Sequence, residues 1–115
     1  MTANKYRNKP FRDADGMYWH SRGEYKRWQE LLLLQRAGKI DYLLRQFCFV
    51  FEHNNVEIGK WIADFTYLDR EKNCQIAEDF KGVITADFRR NVKCMKAWEP
   101  GWKIRVSSTK GVRDI

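Results

Sequence analysis

The sequence is short of patterned cysteine. Three occur, Cys48, Cys74 and Cys94. They are far apart, odd in number and form no CxxC pair. Neither a disulfide framework nor a structural zinc site is expected, and the thiols read as buried or inert. Long apolar runs are missing as well. The longest, Phe47 to Phe51, falls well short of the roughly 18 residues that a membrane span needs. The opening "MTANKYRNKP" is polar and basic and lacks the apolar core of a signal peptide, so a cytoplasmic protein is expected. His20 and His53 are lone histidines. The "HNN" at His53–Asn55 has a superficial likeness to an HNH nuclease element, but no second, zinc-type histidine element follows it. Internal repeats and low-complexity segments are also absent.

What remains is a composition that folds. With 115 residues, 43% hydrophobic and 15% aromatic, the chain can bury one core and is too short for two ordinary domains. It is not a disordered composition. Lys and Arg number 22 against 15 Asp and Glu, a formal net charge of +7. On so small a domain that excess suits a polyanion, most often nucleic acid, although charge also serves solubility.

Residues 1–19 read as a basic, turn-rich arm, with a turn at "DADG" and an extended piece at Met17–Trp19. Residues 20–115 read as a single domain. Ser21 followed by Glu24 is a capping box, and Tyr25, Trp28, Leu31 and Leu32 recur at helical spacing. Gly38 suits the position just past the helix end. These features predict a helix over 22–37. Strands are predicted over 44–51, 58–68 and 74–81, joined by "HNN" and "DREKN" turns. A second helix is expected over 86–98, with Thr85 as N-cap and Pro100 and Gly101 as its stop. "WKIRVSS" supplies a last strand. The order α-β-β-β-α-β implies a mixed sheet with helices packed on it, an α/β (α+β) fold.

Two of these strands carry acids where strands avoid them. Asp64 is the only acid in "WIADFTY", and "QIAEDFKG" holds Glu78, Asp79 and Lys81. Alternation places Asp79 and Lys81 on one face, with Glu78 and Phe80 on the other. A short hairpin would bring Asp64 beside Asp79. Two carboxylates that close repel each other, and a hard divalent cation relieves the repulsion. Mg²⁺ needs only one or two carboxylates, and Mn²⁺ can substitute for it. Lys81 would stand beside the attacking water or the developing charge on phosphorus. The bland alternative is an ion pair between Lys81 or an arginine and one of these acids. Glu78 either pairs with a basic side chain from a helix or is itself the metal-binding acid.

The form D…[DE]-x-K resembles the PD-(D/E)XK, or restriction-endonuclease-like, nuclease superfamily. The stretches "HSRGEYKRWQELLLLQRAGKID", "LLRQFCF", "IADFTY" and "AEDFKGVITADFRRNVK" look like those of a small phage-type protein family within it. The resemblance implies an α-β-β-β-α-β core. It implies Asp64 and Asp79 as metal ligands, with the Phe80 carbonyl as a third, and Lys81 as the catalytic lysine. Glu24 matches a further glutamate that several branches carry on the first helix, while its capping box explains it without catalysis. The chain departs from the superfamily pattern in two places. Ala63 stands where the motif's proline would be, and the second acid is Asp where Glu is more usual.

The basic face of the second helix, with Thr85, Arg89, Arg90 and Lys93, could hold a phosphate or simply face solvent. Gln46, alone in an apolar strand, could line the same cleft or merely sit at an edge. Lys5, Arg7, Lys9 and Arg12 could wrap DNA or be disordered. The tryptophans, including Trp28, Trp61 and Trp98, read as core. The expected function is Mg²⁺-dependent endonucleolytic hydrolysis of DNA, duplex or branched, by a phage-encoded and structure-selective enzyme. A chain this short has little surface to embrace a duplex, which favours a homodimer. The alternative is a non-catalytic nucleic-acid-binding or phage accessory protein on the same fold.

Overall fold

A computed structural model describes residues 9–115. Lys5 and Arg7 of the basic arm lie outside the described residues. From Phe11 the arm is a small hairpin, β1 (Phe11–Arg12) paired antiparallel with β2 (Tyr18–Trp19). Asp13 closes its turn by accepting the Asp15 and Met17 amides and the Trp19 indole. Trp19 is fully buried, so this part of the arm belongs to the domain.

Helix α1 (Arg22–Arg36) begins where the capping box predicts, with the Ser21 hydroxyl accepting the Glu24 amide at 3.1 Å. It ends in a Schellman motif. Gly38 sits at φ +78°, its amide donates to Gln35, and the Lys39 amide donates to Leu34. Then come β3 (Ile40–His53), β4 (Val56–Asp69) and β5 (Cys74–Phe80), followed by α2 (Ala86–Trp98), β6 (Trp102–Ser108) and β7 (Gly111–Asp114). Thr85 caps α2 by accepting the Phe88 amide. Asn54 and Asn55 both have positive φ, which gives the tight turn that matches the twist of a two-residue hairpin.

The five long strands form one mixed sheet in chain order, β3 to β7, antiparallel except for the parallel β5–β6 pair. The fold class is therefore α+β: among the described residues, a five-stranded mixed sheet, a two-stranded sheet and two helices. The α-β-β-β-α-β order recurs inside it. Three elements depart from expectation. β3 starts at Ile40 rather than Leu44, after an irregularity in which Tyr42 takes φ +57°. The extended piece expected at Met17–Trp19 is β2, whereas β1 and β7 were not anticipated as strands. β7 has one apolar residue, Val112, and is held by pairing and by the Asp114–Arg105 ion pair, so no alternation marks it.

Each helix covers its own core. On the α1 side Trp19, Leu31, Leu43, Phe65, Tyr67 and Ile76 pack together. On the α2 side Phe49, Phe51, Trp61, Ala63, Phe88 and Met95 do so. Ile76 and Ala77 are consecutive in β5 and serve different cores, so the two cores lie on opposite faces of the sheet. Trp61 and Ala63 face α2, yet Phe65 and Tyr67, of the same parity, face α1. On β3, Phe47 lies against Trp102 near the α2 core, while Arg45 covers Trp19 on the α1 side. The alternation therefore slips by one residue at Gln46 and Asp64, and Gln46 carries the slip at φ +54°.

Two side-chain expectations are corrected. Cys48 is exposed rather than buried, because it falls on the uncovered face of the β3–β4 hairpin. Trp98, at the end of α2, is 38% exposed and donates its indole N–H to the Glu52 carbonyl at 2.7 Å, so it braces the hairpin from the rim. Among the described residues no helix is long and apolar enough to cross a membrane.

Candidate active site

The slip at Asp64 sits where β4 and β5 part. Their ladder runs from Asp69–Cys74 to Phe65–Glu78 and stops there. One rung further, the carboxylates take over from the backbone. The Asp64 amide donates to Asp79 Oδ1 at 3.0 Å, and the Phe80 amide donates to Asp64 Oδ2 at 2.9 Å. Two acids are thus held side by side by amides that would otherwise be orphaned at a splayed strand end. Lys81 Nζ lies 3.3 Å from Asp79 Oδ2 and 4.9 Å from the Phe88 ring centre. Gln46 Nε2 reaches Asp64 Oδ1 at 3.4 Å.

Glu24 enters from the first turn of α1 and is 4% exposed. His20 Nδ1 is 3.6 Å from one of its oxygens, and Arg45 is 3.8 Å from the other, Oε2. That second oxygen is buried with no hydrogen-bond partner. Arg45 is itself fixed by lying 3.5 Å over the Trp19 ring.

The crowding sets the electrostatics. Burial, then the charges of Asp79 and Glu24, push the Asp64 carboxyl up to about 8. Asp79 is raised by burial against the opposing pull of Lys81. Glu24 is raised by burial, with His20 and Arg45 pulling the other way and Asp79 adding to the rise. Burying several acids against each other raises the cost of ionising each one.

These groups line one cleft of about 430 Å³, which holds Glu24, Gln46, Asp64, Asp79, Phe80, Lys81 and Thr85. Seven of the sequence-predicted site residues are therefore gathered. Arg89, Arg90 and Lys93 are not. They are exposed on α2 and do not line the cleft, and the nearest partner of Arg90 is Asp87 at 4.0 Å. Sequence reading passed over His20 as a lone histidine and did not single out Arg45, since an arginine in a strand gives no signal of the acid it faces.

Glu78 has a different setting. It is fully buried and points to the α1 face. Arg27 binds it with two hydrogen bonds, at 2.7 and 3.0 Å, Ser107 donates at 2.6 Å, and the Tyr67 hydroxyl donates as well. Tyr67 also accepts from Arg105, which pairs with Asp69 and Asp114. Of the two readings left open for Glu78, the geometry matches pairing with a basic helix side chain. Burial works against the Arg27 charge, but its bonds to Glu78 outweigh that and raise its pKa. Burial and Glu78 push the Tyr67 phenol up.

Among the described residues, no group of three or more His, Cys, Asp or Glu is drawn close enough to form a metal site as it stands. The donor chemistry nevertheless fits a hard divalent cation. Asp64 and Asp79 are adjacent and mutually repelled, and Glu24 has a buried oxygen without a partner. No family model, curated protein or solved structure matches the chain.

Proposed function

We propose that the chain is a metal-dependent DNA endonuclease built on a restriction-endonuclease-like core. The observation that carries this reading is the rung at the splayed end of β4 and β5. There Asp64 and Asp79 lie side by side on the face that also bears Lys81. Asp64, Asp79 and the Phe80 carbonyl would hold Mg²⁺ or Mn²⁺, with Glu24 beside them. The bound ion supplies Lewis-acid polarisation of a phosphoryl oxygen.

The chain's own residues do the rest. Lys81, held by Asp79 and the Phe88 ring, places a cation where negative charge grows on the phosphate. Gln46 fixes Asp64 from the β3 side. Arg45 and His20 orient Glu24. The α2 N-terminus and Thr85 stand at the cleft edge, where a helix start favours anions. The exposed Arg89, Arg90 and Lys93 and the +7 charge suit a longer run of DNA backbone beyond the cleft. The bare face of the β3–β4 hairpin, with Val50 and Ile62 exposed, suits the second copy of a homodimer.

The test is incubation of wild type, Asp79→Ala and Lys81→Ala with linear duplex, single-stranded and branched DNA, in Mg²⁺, Mn²⁺ or EDTA. Cleavage in either metal, none in EDTA and loss in variants that melt like wild type supports the reading. Cleavage unchanged in both variants sinks it. One observation favours a second reading, non-catalytic nucleic-acid binding: both aspartates are already engaged with backbone amides. That reading expects salt-sensitive binding with no product.

A further inference from the structure

A second cavity, about 560 Å³, opens beside the carboxylate cleft. Its walls are the start of α1 at Arg22 and Gly23, the end of β5 at Phe80 and Lys81, and the β6–β7 turn at Ser108 and Thr109. His20, Glu24 and Thr85 line both spaces. Whatever occupies the second cavity is therefore next to whatever the aspartates hold.

The size decides what can enter. A volume of 560 Å³ is a cube about 8 Å on edge, narrower than the ~12 Å major groove of B-DNA alone. No duplex fits, yet the volume lies within the roughly 300–1,000 Å³ of small-ligand pockets. The lining suits a nucleotide. Lys9, Arg22 and Lys81 offer cations to phosphate, against Glu24 as the single acid. Arg22 is braced 4.2 Å from the centre of the Phe11 ring. The Ser108 hydroxyl accepts from the Lys110 amide at 3.1 Å, which leaves its own proton free to donate. Phe80 and Val83 give apolar walls. The Phe80 ring is pinned against α1, since a Cβ on Gly23 would lie 2.6 Å from its tip.

We propose that this cavity seats one unpaired nucleotide adjacent to the scissile phosphate, so that the chain selects flapped, branched or single-stranded DNA over intact duplex. The proposal rests on the nuclease reading for the position of that phosphate. Pulling a paired base from the stack costs a few kcal/mol, and an already unpaired base avoids most of that cost.

Binding measured in EDTA tests the seat apart from cleavage. Three fluorescent DNAs of equal length would be compared by anisotropy at one salt concentration: a blunt duplex, a single strand, and a duplex with a one-nucleotide flap. Seating one base is expected to favour the flapped and single-stranded forms about tenfold or more. Thr109→Trp, on an exposed turn, fills the cavity and is expected to abolish that preference. Arg22→Glu, on the exposed start of α1, does the same through charge and stands in if the first variant melts early. Equal affinity of wild type for blunt and flapped DNA overturns the seat, and so does a preference that survives both variants. If wild type prefers the flap but never cleaves in Mg²⁺, the nuclease reading fails and the seat stands. If it cleaves blunt duplex as fast as flapped DNA, the seat fails and the nuclease stands.

Discussion

Glu78 and Asp79 are neighbours in β5, both nearly or wholly inaccessible, and their surroundings are opposites. Glu78 faces α1 and is satisfied on every side by Arg27, Ser107 and Tyr67. Asp79 faces the other way, into a group with Asp64 and Glu24 where acids outnumber cations within reach, and burial raises all three. One acid holds the fold together. The others are held by the fold in a state they would not choose. Perturbed, crowded carboxylates in a cleft mark a candidate functional site, whereas balanced ones such as Glu78 serve the scaffold.

The largest effect should come from breaking the balanced side. Glu78→Gln removes the buried carboxylate from the half-buried Arg27, leaving it only the exposed Glu30, and should cost about 3–5 kcal/mol in urea unfolding. A loss below 1 kcal/mol would erase the contrast. On the other side, Lys81→Ala should lower turnover about 10²–10³-fold, some 3–4 kcal/mol of barrier, while the melting temperature barely moves. Parallel loss of activity and fold would make Lys81 scaffolding too.

The third prediction concerns pH. Asp64 titrates at 3.8 unfolded and about 8 folded, so the folded, metal-free protein binds the extra proton. Its stability is fully present below about pH 4 as far as this group is concerned, and is lost as pH rises through 8. Asp64→Asn should remove that slope and stabilise the metal-free protein at pH 8 by roughly 1–2 kcal/mol. Denaturant midpoints measured from pH 5 to 8.5 in EDTA would show it. Identical slopes for variant and wild type would mean that Asp64 is not held under strain. The smallest effect is at Gly23. Alanine there pushes the Phe80 ring, a cost offset by better helix propensity, for a net change of about 1 kcal/mol. Thermal melts would detect a larger loss, which would mean that the ring cannot move.

Much of this was legible. Ser21, Glu24 and Gly38 mark α1, and Thr85 and Pro100 bracket α2, because caps are local chemistry. Asp64, Asp79 and Lys81 stood out because charges in strands need a reason, and alternation assigned the last two to one face. The partner of Glu78 was not legible, since nothing in the sequence ties Arg27 to it across 51 positions. Nor was β7, which has too few apolar residues to show a period. The slip at Gln46 and Asp64 was hidden for a subtler reason. Trp61, Ala63, Phe65 and Tyr67 form one unbroken odd-numbered series, and a regular period cannot show that its two halves serve opposite faces.

That slip has a consequence for how the chain finds its pairing. A uniformly alternating edge strand as long as β3 can slide along its neighbour and trade one plausible register for another. β3 cannot do so cheaply. Any slide would misalign the kink at Gln46 with the kink at Asp64 and expose apolar side chains on both faces together. The irregularity that aims the carboxylates therefore also acts as a key, admitting one alignment of the hairpin and penalising the rest.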